Sequence, residues 1–439
     1  MKSACLLVLT ICTLTLCCGL SEAEGWKQKE FIITMWCAPP ATDENLKILV
    51  RDGYNLTNVS FAGDSAVSAS ESIKLLDVAQ RNGIKSLFYN PLITPATLDD
   101  PVQKAKLDAL IDTVKKHPAL EGYHLCDEPQ ATAFPPWAKI TKYLRERDPG
   151  HLAYINLYPS YADQKTLAVF PTEVPKDAVG LPANYAGAET CKWIAIFYNE
   201  HLRLFVDQVK PELISYDHYT FFESPKGHYD GGQYFLNLAL VRAAALKANV
   251  PFLNIVQACT IDKGWRLPNE NELRWQAYTT MAYGGRGISW FLYWGPKYFG
   301  GLYQDGKRMP IAGQVARINR EIKALGPQLM KLTSTQVYHT DGLFPGTQSI
   351  ADGCPVKATG GYYVVGMFKQ NDVENVFMIV NRDYRATSTA KLTLSLGNGK
   401  LMEFSINKRR WVEVRHVQSG STVSTTLVPG GGKLYKVVK

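Results

Sequence analysis

From residue 30 onward, short apolar runs alternate with longer stretches in which apolar positions recur every three to four residues. The short runs predict strands at Phe31–Cys37, Leu56–Ala62, Ile84–Tyr89, Gly122–Cys126, Ala153–Leu157, Leu213–Tyr216, Phe252–Val256 and Gly287–Tyr293. The longer stretches predict helices at Leu46–Asp52, Ser72–Asn82, Val102–Lys116, Pro136–Arg147, Asn199–Val209, Tyr234–Ala248 and Glu270–Tyr283. Near-continuous apolar strands joined by crossover helices make a parallel sheet that is covered on its outer face. Eight such units over roughly 250 to 300 residues fit a (β/α)8 TIM barrel. The connection after the fifth strand, Tyr158–Phe197, is long, and long loops in compact domains are usually functional.

The pattern changes after a helix at Ile311–Leu325. Beyond Gly326-Pro327 it becomes the alternation of antiparallel strands: Gly361–Phe368, Asn375–Val380, Thr389–Leu396, Met402–Ile406, Trp411–His416, Ser421–Leu427 and Lys433–Val438. Turn residues separate them at short intervals, as at Gly397-Asn398-Gly399 and Pro429-Gly430-Gly431-Gly432, so an antiparallel β-sandwich of about a hundred residues is expected. Its aromatic residues Tyr362, Tyr363, Trp411 and Tyr435 mostly fall at core positions, which makes a bracing role the favoured one. The expected organisation is a leader over 1–23, the barrel over 24–328 and the sandwich over 329–439.

The leader is read from Lys2, the apolar run Ala4–Leu20 and the small-x-small site Ser21-Glu22-Ala23, a secretory signal that predicts an exported protein, secreted or periplasmic. No later run is long and uncharged enough to predict a membrane span. Four of the nine cysteines (Cys5, Cys12, Cys17, Cys18) lie in the leader; Cys37, Cys126, Cys191, Cys259 and Cys354 remain, an odd and scattered set that reads as buried free thiols. No CxxC or HExxH spacing predicts a metal, and no phosphate-cradling glycine loop or dinucleotide fingerprint predicts a cofactor. The net charge of +8 is spread out, with short clusters such as Lys408-Arg409-Arg410. That describes a solvated surface rather than a nucleic-acid face, and it is compatible with an acidic polysaccharide. Asn55-Leu56-Thr57 and Asn58-Val59-Ser60 match the N-glycosylation pattern, which short sequences match often by chance.

Chemistry in such barrels sits at the C-terminal ends of the strands. Reading those ends in turn gives Trp36, Asn90, Asp127 with Glu128, Asn156, Asp217 with His218 and Tyr219, Gln257, and Trp294. Tyr123-His124-Leu125-Cys126-Asp127-Glu128-Pro129 is the most telling, because an apolar strand that ends in two adjacent acids raises the pKa of at least one. A carboxyl so raised is a ready proton donor for a glycosidic bond. Aromatic faces stack on the C–H side of a sugar, and amides and acids bind its hydroxyls. Each residue alone has a plainer reading: Asp127-Glu128-Pro129 also fits a helix N-cap, Asp217 also fits an orienter of His218, and Trp294 also fits a plug. Recurrence at strand ends carries the case.

The chain resembles the glycoside hydrolases of the large (β/α)8 clan that includes the family 42 β-galactosidases. The resemblance rests on Asp127-Glu128-Pro129 after strand 4, Tyr216-Asp217-His218-Tyr219 after strand 6 and Ser289-Trp290-Phe291-Leu292-Tyr293-Trp294 in strand 8. It implies that Glu128 is the general acid/base and Trp294 a platform under the sugar. Trp36, Asn90, Asn156, His218, Tyr219 and Gln257 are further candidate sugar contacts. The clan's nucleophile is a glutamate at the end of strand 7, where this chain has Gln257, and a neutral amide forms no glycosyl ester. Three explanations follow. Asp217 is the second carboxylate, with the spacing of roughly 6.5–9.5 Å that inverting enzymes use. Alternatively Asp127 and Glu128 pair, with a substrate N-acetyl group as nucleophile, as in the chitinase and hexosaminidase families. The third is a barrel that binds glycan without cutting it. The expectation is a hydrolase acting on a carbohydrate through Glu128, with Asp217 and Asp127 as the accompanying acids.

Overall fold

The computed structural model describes residues 25–58, 69–171, 187–224, 227–230, 232–261, 264–350 and 354–439. The leader, the end of the second predicted strand and much of the long connection after strand 5 lie outside them. Among the described residues no helix is long and apolar enough to cross a membrane.

Eight parallel strands form the first sheet: β1 (Ile32–Met35), β2 (Leu56–Asn58), β3 (Lys85–Phe88), β4 (Leu120–Asp127), β5 (Leu152–Leu157), β6 (Ile214–His218), β7 (Phe252–Gln257) and β8 (Gly287–Phe291). Their order is β1-β8-β7-β6-β5-β4-β3-β2, each neighbour parallel. Helices α1 (Asp43–Arg51), α2 (Ala69–Arg81), α3 (Pro101–Val114), α4 (Phe134–Arg147), α5 (Ala188–Val209), α6 (Tyr234–Ala248), α7 (Glu270–Ala282) and α8 (Pro310–Leu329) follow the strands in turn. This is a (β/α)8 barrel.

Among the described residues one seam shows no strand ladder. Between β1 and β2 the Asn55 side chain takes the place of a strand: its Oδ1 accepts from the Ile33 amide at 2.8 Å, and its Nδ2 donates to the Phe31 carbonyl at 2.9 Å. The Asn55 amide itself reaches the Ile33 carbonyl at 3.1 Å. Neither glycosylation match therefore offers its amide, since Asn55 is engaged in this seam and Asn58 is buried against His124 at 3.2 Å.

Inward positions alternate along each strand and fill the barrel in layers. Ile32, Leu56, Leu87, Leu152, Leu213 and Leu253 make an apolar lower layer. Above it Thr34, Asn58, His124, Tyr154 and Ser289 make a polar one.

The second domain has a six-stranded antiparallel sheet over a three-stranded one. The first contains β9 (Thr333–His339), β11 (Tyr363–Gln370), β12 (Val373–Asn381), β14 (Gly399–Ser405), β15 (Arg410–Val417) and β17 (Gly432–Val438). The second contains β10 (Val356–Thr359), β13 (Ser388–Leu394) and β16 (Ser421–Leu427). Two strands were not read from sequence, β9 and β10, both short of apolar residues. Helix α8 also runs through Gly326-Pro327, because Leu325 and Leu329 bury against the barrel and outweigh the breaker pair. Gly366 on β11 lies so close to α7 that a Cβ there would stand 2.1 Å from the Ala282 carbonyl oxygen. Tyr363 and Tyr435 fill the sandwich core, Trp411 reaches Gln328 on α8, and Tyr362 stays exposed.

Asn55→Ala is expected to lower stability by about 2–4 kcal/mol, since it orphans a buried amide and a buried carbonyl at the seam. Urea unfolding would check it; a midpoint equal to wild type would show that the seam closes without this side chain.

Candidate active site

The top of β4 carries an irregularity that the apolar pattern hides. The register with β5 shifts between His124 and Cys126, so that His124 pairs with Tyr154, Cys126 with Ile155 and Asp127 with Asn156. Strict alternation from an inward His124 would turn Asp127 outward. The extra residue at Leu125 reverses the parity and brings Asp127 to the same side as Asn156, which is what a β-bulge does near a site. Glu128 then takes a left-handed backbone with φ of 47°, its amide held by the Asn156 carbonyl at 2.9 Å. A left-handed conformation is unfavourable for a glutamate, more so before Pro129, and it is maintained by the surrounding structure.

Asn156 is the hub. Its Nδ2 donates to Asp127 Oδ1 and to Asp217 Oδ1, both at 3.0 Å. Its Oδ1 accepts from Ser215 Oγ at 3.0 Å, and Ser215 shares a hydrogen bond of 2.8 Å with Tyr154. That chain fixes which way the amide faces. The Glu128 and Asp217 carboxyls are close enough for each to shift the other's protonation. Asp217 is buried at 3% exposure, Glu128 is half-buried and Asp127 is exposed to the mouth.

These environments set the protonation. Burial first, and the Glu128 charge second, hold Asp217 well above the usual carboxylate range. Glu128 is pushed up to about 7, by burial first and by Asp127 next, while the hydrogen bond with Asp217 pulls it back. Asp127 is raised by loss of water and eased by Asn156. Crowded carboxyls resist ionising together, so the cluster keeps a proton near neutrality.

The other strand-end residues divide. Trp36 faces inward, its ring 5.3 Å from that of His124. Tyr219 packs beside the mouth, 4.8 Å from Phe291 and 4.7 Å from Trp265. His218 turns away from the mouth: it is buried, bonded through Nδ1 to Asn237 Oδ1 at 2.8 Å, and kept neutral by burial that lowers it to about 4. Asn90 is buried, and its Oδ1 caps the turn at the Leu92 amide. Trp294 stacks on Tyr303 at 5.4 Å in a small ribbon beyond the end of β8. The clearest correction is Gln257, expected as a sugar contact. It is fully buried; its Oε1 accepts from the Phe221 amide, and its Nε2 donates to the carbonyls of Phe221, Cys259 and Arg266. Both ends of the amide hold loop backbone.

Sequence reading missed Ser215, Tyr154 and the tyrosines after β5. Tyr158 and Tyr161 lie within electrostatic reach of Glu128 and Asp217. The length of that connection was the available signal. The five cysteines outside the leader are unpaired.

No protein-family model matches the chain, and no curated protein sequence matches it either. Solved structures do. One is a catalytic mutant of a GH42 β-galactosidase from G. stearothermophilus, at 8% identity and a TM-score of 0.46, covering 94% of this chain and 100% of that one. Another is a glucosidase from Croceicoccus marinus, at 11% identity and a TM-score of 0.43, covering 95% and 97%. A third is an endo-1,4-β-D-mannanase from Thermotoga petrophila RKU-1, at 10% identity and a TM-score of 0.42, covering 66% and 99%. The barrel assignment rests on the chain's own strand order rather than on these likenesses.

The raised Glu128 pKa has a stability consequence. Folding raises the Glu128 pKa from 4.5 to about 7, so between those values the folded chain holds a proton that the unfolded chain releases. Stability is then full below pH ~4.5 and falls as pH rises toward ~7. Glu128→Gln should flatten that fall, with a gain at pH 8 on the order of 1–2 kcal/mol after screening of a partly exposed group. Melting temperatures from pH 4 to 8 would check it; parallel curves for the two proteins would contradict the raised pKa.

Proposed function

We propose that the chain is an exported glycoside hydrolase that cleaves O-glycosidic bonds at the mouth of the barrel, with Glu128 as proton donor. The observation that carries this reading is the gathering of Asp127, Asp217 and Glu128 around Asn156 at the strand ends, with Glu128 half-buried and pushed up to about 7. A general acid works best when its pKa lies close to the working pH. Trp36 and Tyr219 supply ring faces for the sugar, and the leader sequence supports export.

In this reading Glu128 gives its proton to the leaving oxygen as the glycosidic bond breaks. Asp217 is too deeply buried to meet the sugar itself, so it acts through Glu128 by sharing the proton. Asp127 is exposed and oriented by Asn156. It is the carboxylate placed to face the anomeric carbon, either stabilising its positive charge and bonding to it or orienting a substrate group that does so. Glu128, now ionised, takes a proton from the water that completes hydrolysis. Two displacements at the same carbon, the first by Asp127 or the substrate group and the second by water, give net retention.

Reducing-sugar release from a panel of glycans and aryl glycosides tests the reading. Activity should fall as pH rises through ~7, and Glu128→Gln should lower kcat by about 10²–10⁴-fold with binding retained. Equal release by wild type and Glu128→Gln would move the acid elsewhere, and silence from both with glycan still bound would favour a binding protein. Proton NMR of the first-formed product should give the retained anomer; an inverted one would sink the mechanism while leaving the hydrolase.

A further inference from the structure

A cavity of ≈ 330 Å³ opens between the barrel and the sandwich, away from the carboxyl cluster. Barrel residues Thr220, Tyr234 and Trp275 form one side; Phe344, Tyr362 and Tyr384 belong to the sandwich side. The Tyr234 ring lies between the cavity and the mouth, against Trp275 at 4.5 Å and against His218 at 5.6 Å. None of Asp127, Glu128 and Asp217 lines the cavity.

Its distinctive group is Arg382, just beyond β12. Arg382 as a whole is 6% exposed, with its guanidinium between the rings of Phe344 at 5.0 Å and Tyr362 at 5.5 Å. One nitrogen donates to the Asp341 carbonyl and another to His339 Nδ1 at 3.0 Å. His339 in turn donates through Nε2 to the Tyr283 hydroxyl at 2.8 Å, and burial beside Arg382 keeps it neutral. Among the described residues no carboxylate comes within salt-bridge distance of Arg382. Asp383, its neighbour at the rim, is paired with Arg385 at 3.0 Å. A buried guanidinium without a counter-charge is costly, and it remains a cation at neutral pH although burial lowers it to about 10.

We propose that this cavity binds a carboxylated pyranose, one uronic-acid unit of an acidic glycan, with its carboxylate on Arg382. The planar fork of a guanidinium matches a carboxylate in two parallel hydrogen bonds. The rings of Tyr362 and Tyr384 line the cavity for the apolar side of the sugar, and the Asp383–Arg385 pair offers polar groups beside them. The volume lies in the range of small-molecule sites. A net charge of +8 favours an acidic chain at long range. The site goes beyond the hydrolase reading and needs no turnover, so the two stand or fall separately.

Isothermal titration with trigalacturonate, its methyl ester and a sulfated neutral trisaccharide tests the site, on the full chain and on Glu128→Gln. Saturable binding of trigalacturonate at one site is expected, equal in Glu128→Gln, and weaker for the ester by about tenfold or more. Tighter binding of the sulfated trisaccharide would replace the carboxylate by a sulfate and overturn the ligand class. Arg382→Gln should lose about tenfold or more, and the exposed Tyr362→Ala, which leaves the sandwich core untouched, several-fold. No saturable binding, equal affinity for acid and ester, or full affinity in a folded Tyr362→Ala and Arg382→Gln pair would overturn the proposal.

Discussion

A single amide nitrogen, Nδ2 of Asn156, donates to two carboxylates that come from different strands. The rest of the mouth depends on that arrangement. Asp127 and Asp217 repel each other, and a donor between them offsets part of the repulsion without adding a charge. The amide has to present its nitrogen rather than its oxygen. Ser215 ensures this by donating to Oδ1, and Tyr154 shares its hydroxyl with Ser215 below. The polar layer in the middle of the barrel is thus the support of the layer above it. A barrel filled only with aliphatic side chains would leave Asn156 free to flip.

The same constraint explains the backbone at the end of β4. For Asp127 to reach Asn156 the strand has to change parity, and for Glu128 to follow Asp127 yet meet Asp217 the chain has to turn sharply. The bulge at Leu125 does the first, and the left-handed Glu128 does the second. Both are locally unfavourable, and the Asn156 carbonyl secures the turn by accepting the Glu128 amide. Strain here is the cost of gathering three carboxyls around one residue, a feature that functional sites tolerate and ordinary strand ends do not.

Much of the fold was legible because barrel strands are apolar on both faces and helices repeat at another period. The apolar runs at Phe252 and Gly287 needed no tertiary knowledge to be read as strands. Less of the site was legible, because strand-end position says nothing of which way a side chain points. His218 follows Asp217 directly, and the pleat sends it to the helix layer, where Asn237 on α6 holds it. Asp127 has the opposite history, brought inward by a bulge that leaves no mark in an apolar pattern. The glycosylation matches at Asn55 and Asn58 belong to the same class of difficulty, since a three-residue pattern does not register that both side chains are engaged inside the barrel.

Gln257 raises a question of charge placement. A carboxylate there would sit fully buried among three backbone carbonyls, Phe221, Cys259 and Arg266, which accept hydrogen bonds and would repel an anion. An amide satisfies those carbonyls and the Phe221 amide together, so a glutamine is the side chain this loop arrangement selects. The loops after β6 and β7 are tied to each other through it, and Tyr219 and Trp265 are carried on those loops beside the mouth. Asp127 and Asp217 are the acids that the bulge and Asn156 bring within reach of Glu128. In this arrangement strand 7 holds the loops and strands 4 to 6 hold the charge.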